Sequence, residues 1–177
     1  MKIRKVTADN LAKAVGLLQA AFPGSDYEAR LVQGLHEHGR EIHDWVCIHT
    51  NRVIAYIGFS PAYHGREVCG LHLGPLAVNP GFQRQGVGSE LLRFALNQEP
   101  VKSRPLFVLG NPGFYQRFGF SPCPMPICPF DSDNAHFLSL RNQTTEPFTV
   151  GYESEFTEYL PQGQMRKGRG KGGKRRR

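Results

Sequence analysis

The sequence predicts a single α/β domain, a mixed sheet of about seven strands flanked by about four helices. Two observations carry that class. Two amphipathic helical segments precede the first long apolar strands, and beyond residue 67 strands alternate with helices. The length of 177 residues suits one domain with a substantial core.

Residues 2–6 read as a short first strand. Asp9 is placed to cap a helix over 10–22, with Leu11, Val15, Leu18 and Phe22 on one face. Pro23-Gly24 breaks it. Ser25 and Glu28 have capping-box spacing for a second helix ending near His36, with Tyr27, Leu31 and Leu35 inward. Strands follow at 45–50 and 53–60, joined by Asn51-Arg52, and a turn over Ala62–Arg66 leads to a strand at 67–78. A helix with Leu91, Leu92 and Ala95 on its sheet side runs to about Gln98, where Pro100 stops it. Leu106–Gly110 is a short apolar run between Pro105 and Gly110, a buried strand. A short helix then carries Phe114, Tyr115 and Phe118, and Gly119 ends it. Residues 121–135 are rich in Pro and Asp and read as a loop, and strands near 136–141 and 147–156 close the domain.

The stretch with most chemistry is Leu76–Ser89, LAVNPGFQRQGVGS. A strand end runs through Asn79-Pro80-Gly81 into Gln83-Arg84-Gln85-Gly86-Val87-Gly88, and a helix starts at once. Gly86 and Gly88 let a ligand approach the backbone. The first amides of the helix have no internal partner and lie at the positive end of its dipole. Together they make a cradle for a pyrophosphate. A Walker loop is excluded because Ser89-Glu90 follows Gly88. A dinucleotide fingerprint is excluded because position 91 is Leu. A connection that uses glycine only for its turn fits the same hexapeptide.

The spacing Q-x-x-G-x-G between strand and helix resembles the acetyl-CoA signature of the GNAT N-acetyltransferases. Asn111-Pro112-Gly113-Phe114-Tyr115, with Gly119-Phe120 beyond it, resembles the segment that carries the family's Tyr. The resemblance spans roughly residues 1–160 and points to the YhbS-like branch, through Pro75-Leu76-Ala77-Val78 and Leu109-Gly110-Asn111-Pro112. Asn111 stands where that branch has Asp.

This resemblance implies a GNAT-like sheet splayed at an acetyl-CoA site. It implies backbone contacts from Leu76, Ala77 and Val78, and a pyrophosphate held by Gln83, Arg84, Gln85, Gly86, Val87, Gly88 and Ser89. Asn111 would lie beside the cofactor channel. Tyr115 would protonate the departing thiolate; a Tyr simply packed on the sheet is the structural alternative. Strand alternation puts His72, Gly74, Leu76 and Val78 on one face. His72 then occupies the family's base position, with an unperturbed pKa near 6.5. Glu67 and a water chain are the other candidates for that role. The activity implied is acetyl-CoA-dependent transfer to a primary amine by direct attack in a ternary complex. The alternative is a non-catalytic CoA-binding module. The acceptor pocket would involve Pro23–Ser25 and Pro122–Ala135, with Asp131 and Asp133 attracting a cationic amine.

Composition bounds the rest. No apolar run approaches transmembrane length, and MKIRKVTADNL lacks the apolar core of a secretory signal, so a cytoplasmic protein without membrane partners is expected. Cys47, Cys69, Cys123 and Cys128 have neither disulfide-framework nor zinc spacing, and no metal is expected. The net charge of +7 comes from the last residues. Arg166, Lys167, Arg169, Lys171, Lys174, Arg175, Arg176 and Arg177 leave 14 basic residues against 15 acidic ones elsewhere. Residues 161–177 read as a disordered tail, able to bind nucleic acid weakly and without sequence preference. In the non-catalytic alternative this tail would anchor the module to RNA or another polyanion. Monomer and homodimer are both compatible with the sequence.

Overall fold

The computed structural model describes residues 1–161. The tail expected over 161–177 lies outside the described residues but for Pro161. Seven strands form one sheet: β1 (Lys2–Lys5), β2 (His43–His49), β3 (Arg52–His64), β4 (Glu67–Val78), β5 (Leu106–Leu109), β6 (Ser121–Pro122) and β7 (Phe137–Leu140). Their order is β1-β2-β3-β4-β5-β7-β6. All neighbours are antiparallel except β4 and β5, which are parallel. Five helices accompany them: α1 (Ala8–Ala21), α2 (Tyr27–Glu37), α3 (Val87–Leu96), α4 (Pro112–Tyr115) and α5 (Glu155–Glu158). Among the described residues, no helix is long and apolar enough to cross a membrane.

Helices cover both faces. On one, α3 buries Leu91, Leu92 and Ala95 against Trp45, Ile57, Phe59, Leu71 and Leu73. Each fully buried leucine contributes roughly 1.5–3 kcal/mol. On the other, α1 and α2 bring Ala14, Leu17, Leu18 and Val32 onto Val46, Tyr56 and Ala77.

Several boundaries differ from the sequence expectation for identifiable reasons. Helix α1 starts at Ala8, because Thr7 rather than Asp9 is the cap: its amide donates to Asn10 Oδ1 at 2.9 Å. Asp26 occupies the cap position of α2. Ser25 Oγ still accepts from the Tyr27 amide at 3.2 Å and donates to Glu28 Oε2 at 3.0 Å. Strand β3 continues past Pro61 to His64, and Gly65-Arg66 makes the hairpin turn. A proline is tolerated there because β2 pairs with β3 only as far as Phe59, so that edge is free.

The final strand expected over 147–156 is absent. Gly151 makes a single bridge to Tyr63 and Thr149 one to Ile127, and the chain then turns into α5. One bridge on each side does not make a ladder. The seventh strand is instead Ser121–Pro122, inside the stretch read as a loop, and it pairs with Ser139 and Leu138.

Candidate active site

Strand β4 organises the site. Leu73 pairs with Phe59 and Leu76 with Ile57, so Gly74 and Pro75 of β4 together face the single Gly58 of β3. This β-bulge at Gly74-Pro75 shifts the alternation of side chains. Leu71, Leu73, Leu76 and Val78 all pack on the α3 face, while Ala77 packs with α1 and α2. The expected single face of His72, Gly74, Leu76 and Val78 is therefore corrected. His72 lies on the face opposite Leu76 and Val78.

The same bulge ends the pairing with β5. Only Leu71, His72 and Leu73 pair, with Leu106, Phe107 and Val108. Beyond them the two strands separate, and the β4 edge from Gly74 to Val78 has β3 on one side alone. Leu109, across the gap, is 42% exposed. The result is a split in the sheet lined by main-chain groups.

The glycine motif stands beside this split. The Asn79 side chain accepts from the Gly81 amide at 3.0 Å. Gln83 Nε2 donates to the Val78 carbonyl at 3.1 Å, and Gln85 Nε2 donates to the Gly81 carbonyl at 3.1 Å. The two glutamine side chains thus brace the turn. Arg84 and Gly86 have φ of +59° and +83°, the left-handed region, which Gly86 adopts without a Cβ penalty. The Glu90 amide bonds back to the Gly86 carbonyl at 2.9 Å. The amides of Val87, Gly88 and Ser89 precede that first helical bond and have no intrahelical partner. A Cβ on Gly88 would stand 3.2 Å from Val78 Cγ2, so glycine lets α3 pack closely on β4.

Helix α4 presents Tyr115 on the α3 side. Asn111 caps it, its side chain accepting from the Gly113 amide at 2.9 Å, with Pro112 preset for the first turn. The Tyr115 ring packs edge-on against Phe114 and Phe120. It lies so close over Gly110 that a Cβ there would be 2.6 Å from Tyr115 Cε2. Burial pushes the Tyr115 phenol up to about 12, so it carries its proton throughout the physiological range. Its hydroxyl has no hydrogen-bond partner among the described residues and is not one of the fully sealed polar atoms.

On the other face a cavity of about 930 Å³ opens at the split. His72, Leu73, Gly74 and Pro75 of β4, with Phe107 and Leu109 of β5, form its floor. Helix α2, the 129–132 loop and residues 149–157 form its walls. The Pro122–Ala135 loop contributes as expected, but Pro23–Ser25 does not; Tyr27, Glu28 and Leu31 of α2 take that place. Asp131 lines the cavity and Asp133 does not. Glu67, at the far end of β4, does not reach it either.

His72 is 2% exposed. Its Nε2 donates to the Gly151 carbonyl at 2.9 Å, and its ring stacks on Tyr152 with centroids 3.5 Å apart. Burial lowers its pKa to about 4, against the bond to Gly151 that favours the charged form. The unperturbed value used in the sequence expectation therefore does not hold here. The Nε2–H tautomer leaves Nδ1 as a bare acceptor, and Nδ1 has no partner among the described residues. Ser60, directly across β3 from His72, likewise has an unpartnered buried Oγ. Sequence reasoning missed Ser60, because only strand register brings it beside His72.

Residues 41–122 match the acetyltransferase (GNAT) domain family. The uncharacterised N-acetyltransferase YjhQ of Escherichia coli strain K12 is 30% identical over 139 residues, 72% of this chain and 76% of that one. Among solved structures, the GNAT-family N-acetyltransferase YhbS from Escherichia coli in complex with CoA superposes with a TM-score of 0.80. It is 27% identical, over 88% of this chain and 91% of that one. A GNAT-family acetyltransferase from Brucella melitensis in complex with acetyl-CoA gives a TM-score of 0.73 at 27% identity, over 88% and 97%. The split sheet, the glycine turn and these likenesses place the chain in the GNAT family of N-acetyltransferases.

Proposed function

We propose that this protein transfers the acetyl group of acetyl-CoA to a primary amine by direct attack, with both substrates bound together. The observation that supports it best is the split between β4 and β5. It joins a helix N-terminus and a Tyr hydroxyl without a partner among the described residues on one face to an open cavity on the other.

The residues present fit CoA. The free amides of Val87, Gly88 and Ser89 and the positive end of α3 suit a pyrophosphate, and Arg84 adds charge. The unpaired edge of β4 at Leu76, Ala77 and Val78 suits an extended pantetheine arm bonding as a strand does. An N–H on that edge would polarise the thioester carbonyl. Asn111 holds the α4 turn beside the same channel.

The amine enters from the His72 face. Its nitrogen attacks the carbonyl carbon, the C–S bond breaks, and the electron pair leaves on sulfur. Tyr115 donates its phenolic proton to that thiolate. The amine proton leaves to solvent or, once the sealed Nδ1 of His72 is uncovered, to that nitrogen. Calorimetric titration of the full chain with acetyl-CoA, followed by thiol release over a panel of amines, tests this. Micromolar binding with amine-dependent release supports it. A folded protein that binds no acetyl-CoA overturns it.

A further inference from the structure

The cavity on the His72 face has an unusual balance of charge. Glu28, Asp131 and Glu153 line it, and none of its described lining residues is Lys or Arg. The three acids differ. Glu153 already accepts from the Tyr63 hydroxyl at 2.6 Å and lies 3.6 Å from Arg40. Among the described residues, Glu28 accepts only from Ser25. Asp131 accepts from the His136 amide at 2.7 Å, with the exposed His136 ring 4.0 Å away. Glu28 and Asp131 are thus carboxylates at the cavity wall with no Lys or Arg partner among the described residues.

A second, independent feature lies at the floor. His72 is almost fully buried, lines the cavity, and holds a bare acceptor at Nδ1. An unpartnered acceptor in such a place costs free energy unless a donor meets it. Tyr152, stacked on His72, and Phe156 next to it add aromatic surface, which attracts cations. A volume of about 930 Å³ suits a whole small molecule.

We infer that the acceptor is a small amine carrying at least one further positive charge. Its reacting nitrogen lies at the split beside His72, and its second cation meets Glu28 and Asp131 at the cavity wall. This rests on the acetyl transfer proposed above and names the acceptor class for it.

The test uses three probes of equal chain length: an α,ω-diaminoalkane, the corresponding alkylamine, and the corresponding ω-aminocarboxylate. They share one reacting amine and differ only in the charge at the far end. Binding of each to the full chain is measured by calorimetry with CoA present and absent, and acetyl-CoA binding is measured separately. The expected order is diamine first, about tenfold tighter than the alkylamine, with the aminocarboxylate weakest. A paired Glu28→Gln, Asp131→Asn variant keeps the hydrogen-bond geometry. It should bring the diamine down to the alkylamine level and leave acetyl-CoA binding unchanged.

Equal binding of diamine and alkylamine by the wild-type protein overturns the inference, as does tighter binding of the aminocarboxylate or no binding of any probe. None of these outcomes needs the variant to fold. If acetyl-CoA binds while the charge preference is missing, the acceptor class alone has failed. A charge preference without acetyl-CoA binding means that the transfer reaction alone has failed.

Discussion

Leu73 and Leu76 are three positions apart on one strand, yet both pack on the face covered by α3. In a regular strand they would point to opposite faces. The extra residue at Gly74-Pro75 turns the second half of β4 over, so that Leu76 and Val78 follow Leu73 and His72 is left on the far side. The same irregularity releases β4 from β5. One local feature therefore opens the split and assigns Tyr115 and His72 to opposite faces of it.

Tyr115→Phe should lower kcat about a hundredfold or more, the usual contribution of a positioned proton donor. The ring contacts with Phe114 and Phe120 survive, so acetyl-CoA affinity and Tm should stay close to wild type. Thiol-release kinetics beside calorimetry separate the two. An unchanged kcat removes Tyr115 from the reaction.

Gly110→Ala tests the placement of that hydroxyl without touching it. The new methyl would meet the Tyr115 ring at 2.6 Å and must displace it. A fall in kcat that exceeds the effect on acetyl-CoA affinity is expected, and the loss should vanish in the Tyr115→Phe background.

Gly86→Glu should abolish acetyl-CoA binding. An L-residue at φ +83° costs about 1–2 kcal/mol, and a carboxylate there would repel the pyrophosphate in the proposed cradle. The ideal Cβ meets nothing within 4 Å, so the fold should survive. Circular dichroism checks the fold, and retained micromolar affinity would count against the cradle.

The pH dependence of stability should carry a His72 signature. Its folded pKa of about 4 lies below the ordinary histidine value of 6.5, so the unfolded chain binds the extra proton between those values. The contribution of His72 is complete above pH 6.5 and is lost as pH falls toward 4. At full size the effect is about 3 kcal/mol. Denaturant unfolding across that window should show a shallower slope for His72→Gln. Parallel wild-type and variant slopes would contradict the buried neutral state.

Glu155 tethers the cavity wall. The residue is fully buried, and its Oε1 accepts from Arg40 Nε at 2.8 Å and pairs with His38 Nδ1 at 2.7 Å. Burial pushes its carboxyl up, but the bonds from Arg40 and His38 outweigh that and hold it below the ordinary range. Its stabilisation is present above the unfolded carboxylate pKa and is lost as pH falls through the lower folded value. Glu155→Gln should cost about 2 kcal/mol, read as a lower midpoint in urea at neutral pH. An unchanged midpoint would make the tether dispensable.

The sequence by itself determined the elements whose signals are local. The helical periodicity of α3, the apolar run of β5 and the glycine turn all depend on neighbours a few residues away. They appear where they were expected, and with them the family was legible. The strand at 147–156 failed because a single bridge at Gly151 leaves no period to read. Ser121–Pro122 is too short to announce itself, and only β7 makes it a strand. The tertiary structure alone decided the side of the sheet on which His72 stands, because a bulge is fixed by pairing with β3. It likewise decided the neutral His72, since burial beneath Tyr152 and the bond to Gly151 come from residues about eighty positions away. Ser60 became visible in the same way. Local free energies fix turns and helices, but the burial that tunes a side chain's chemistry exists only once distant segments have closed over it.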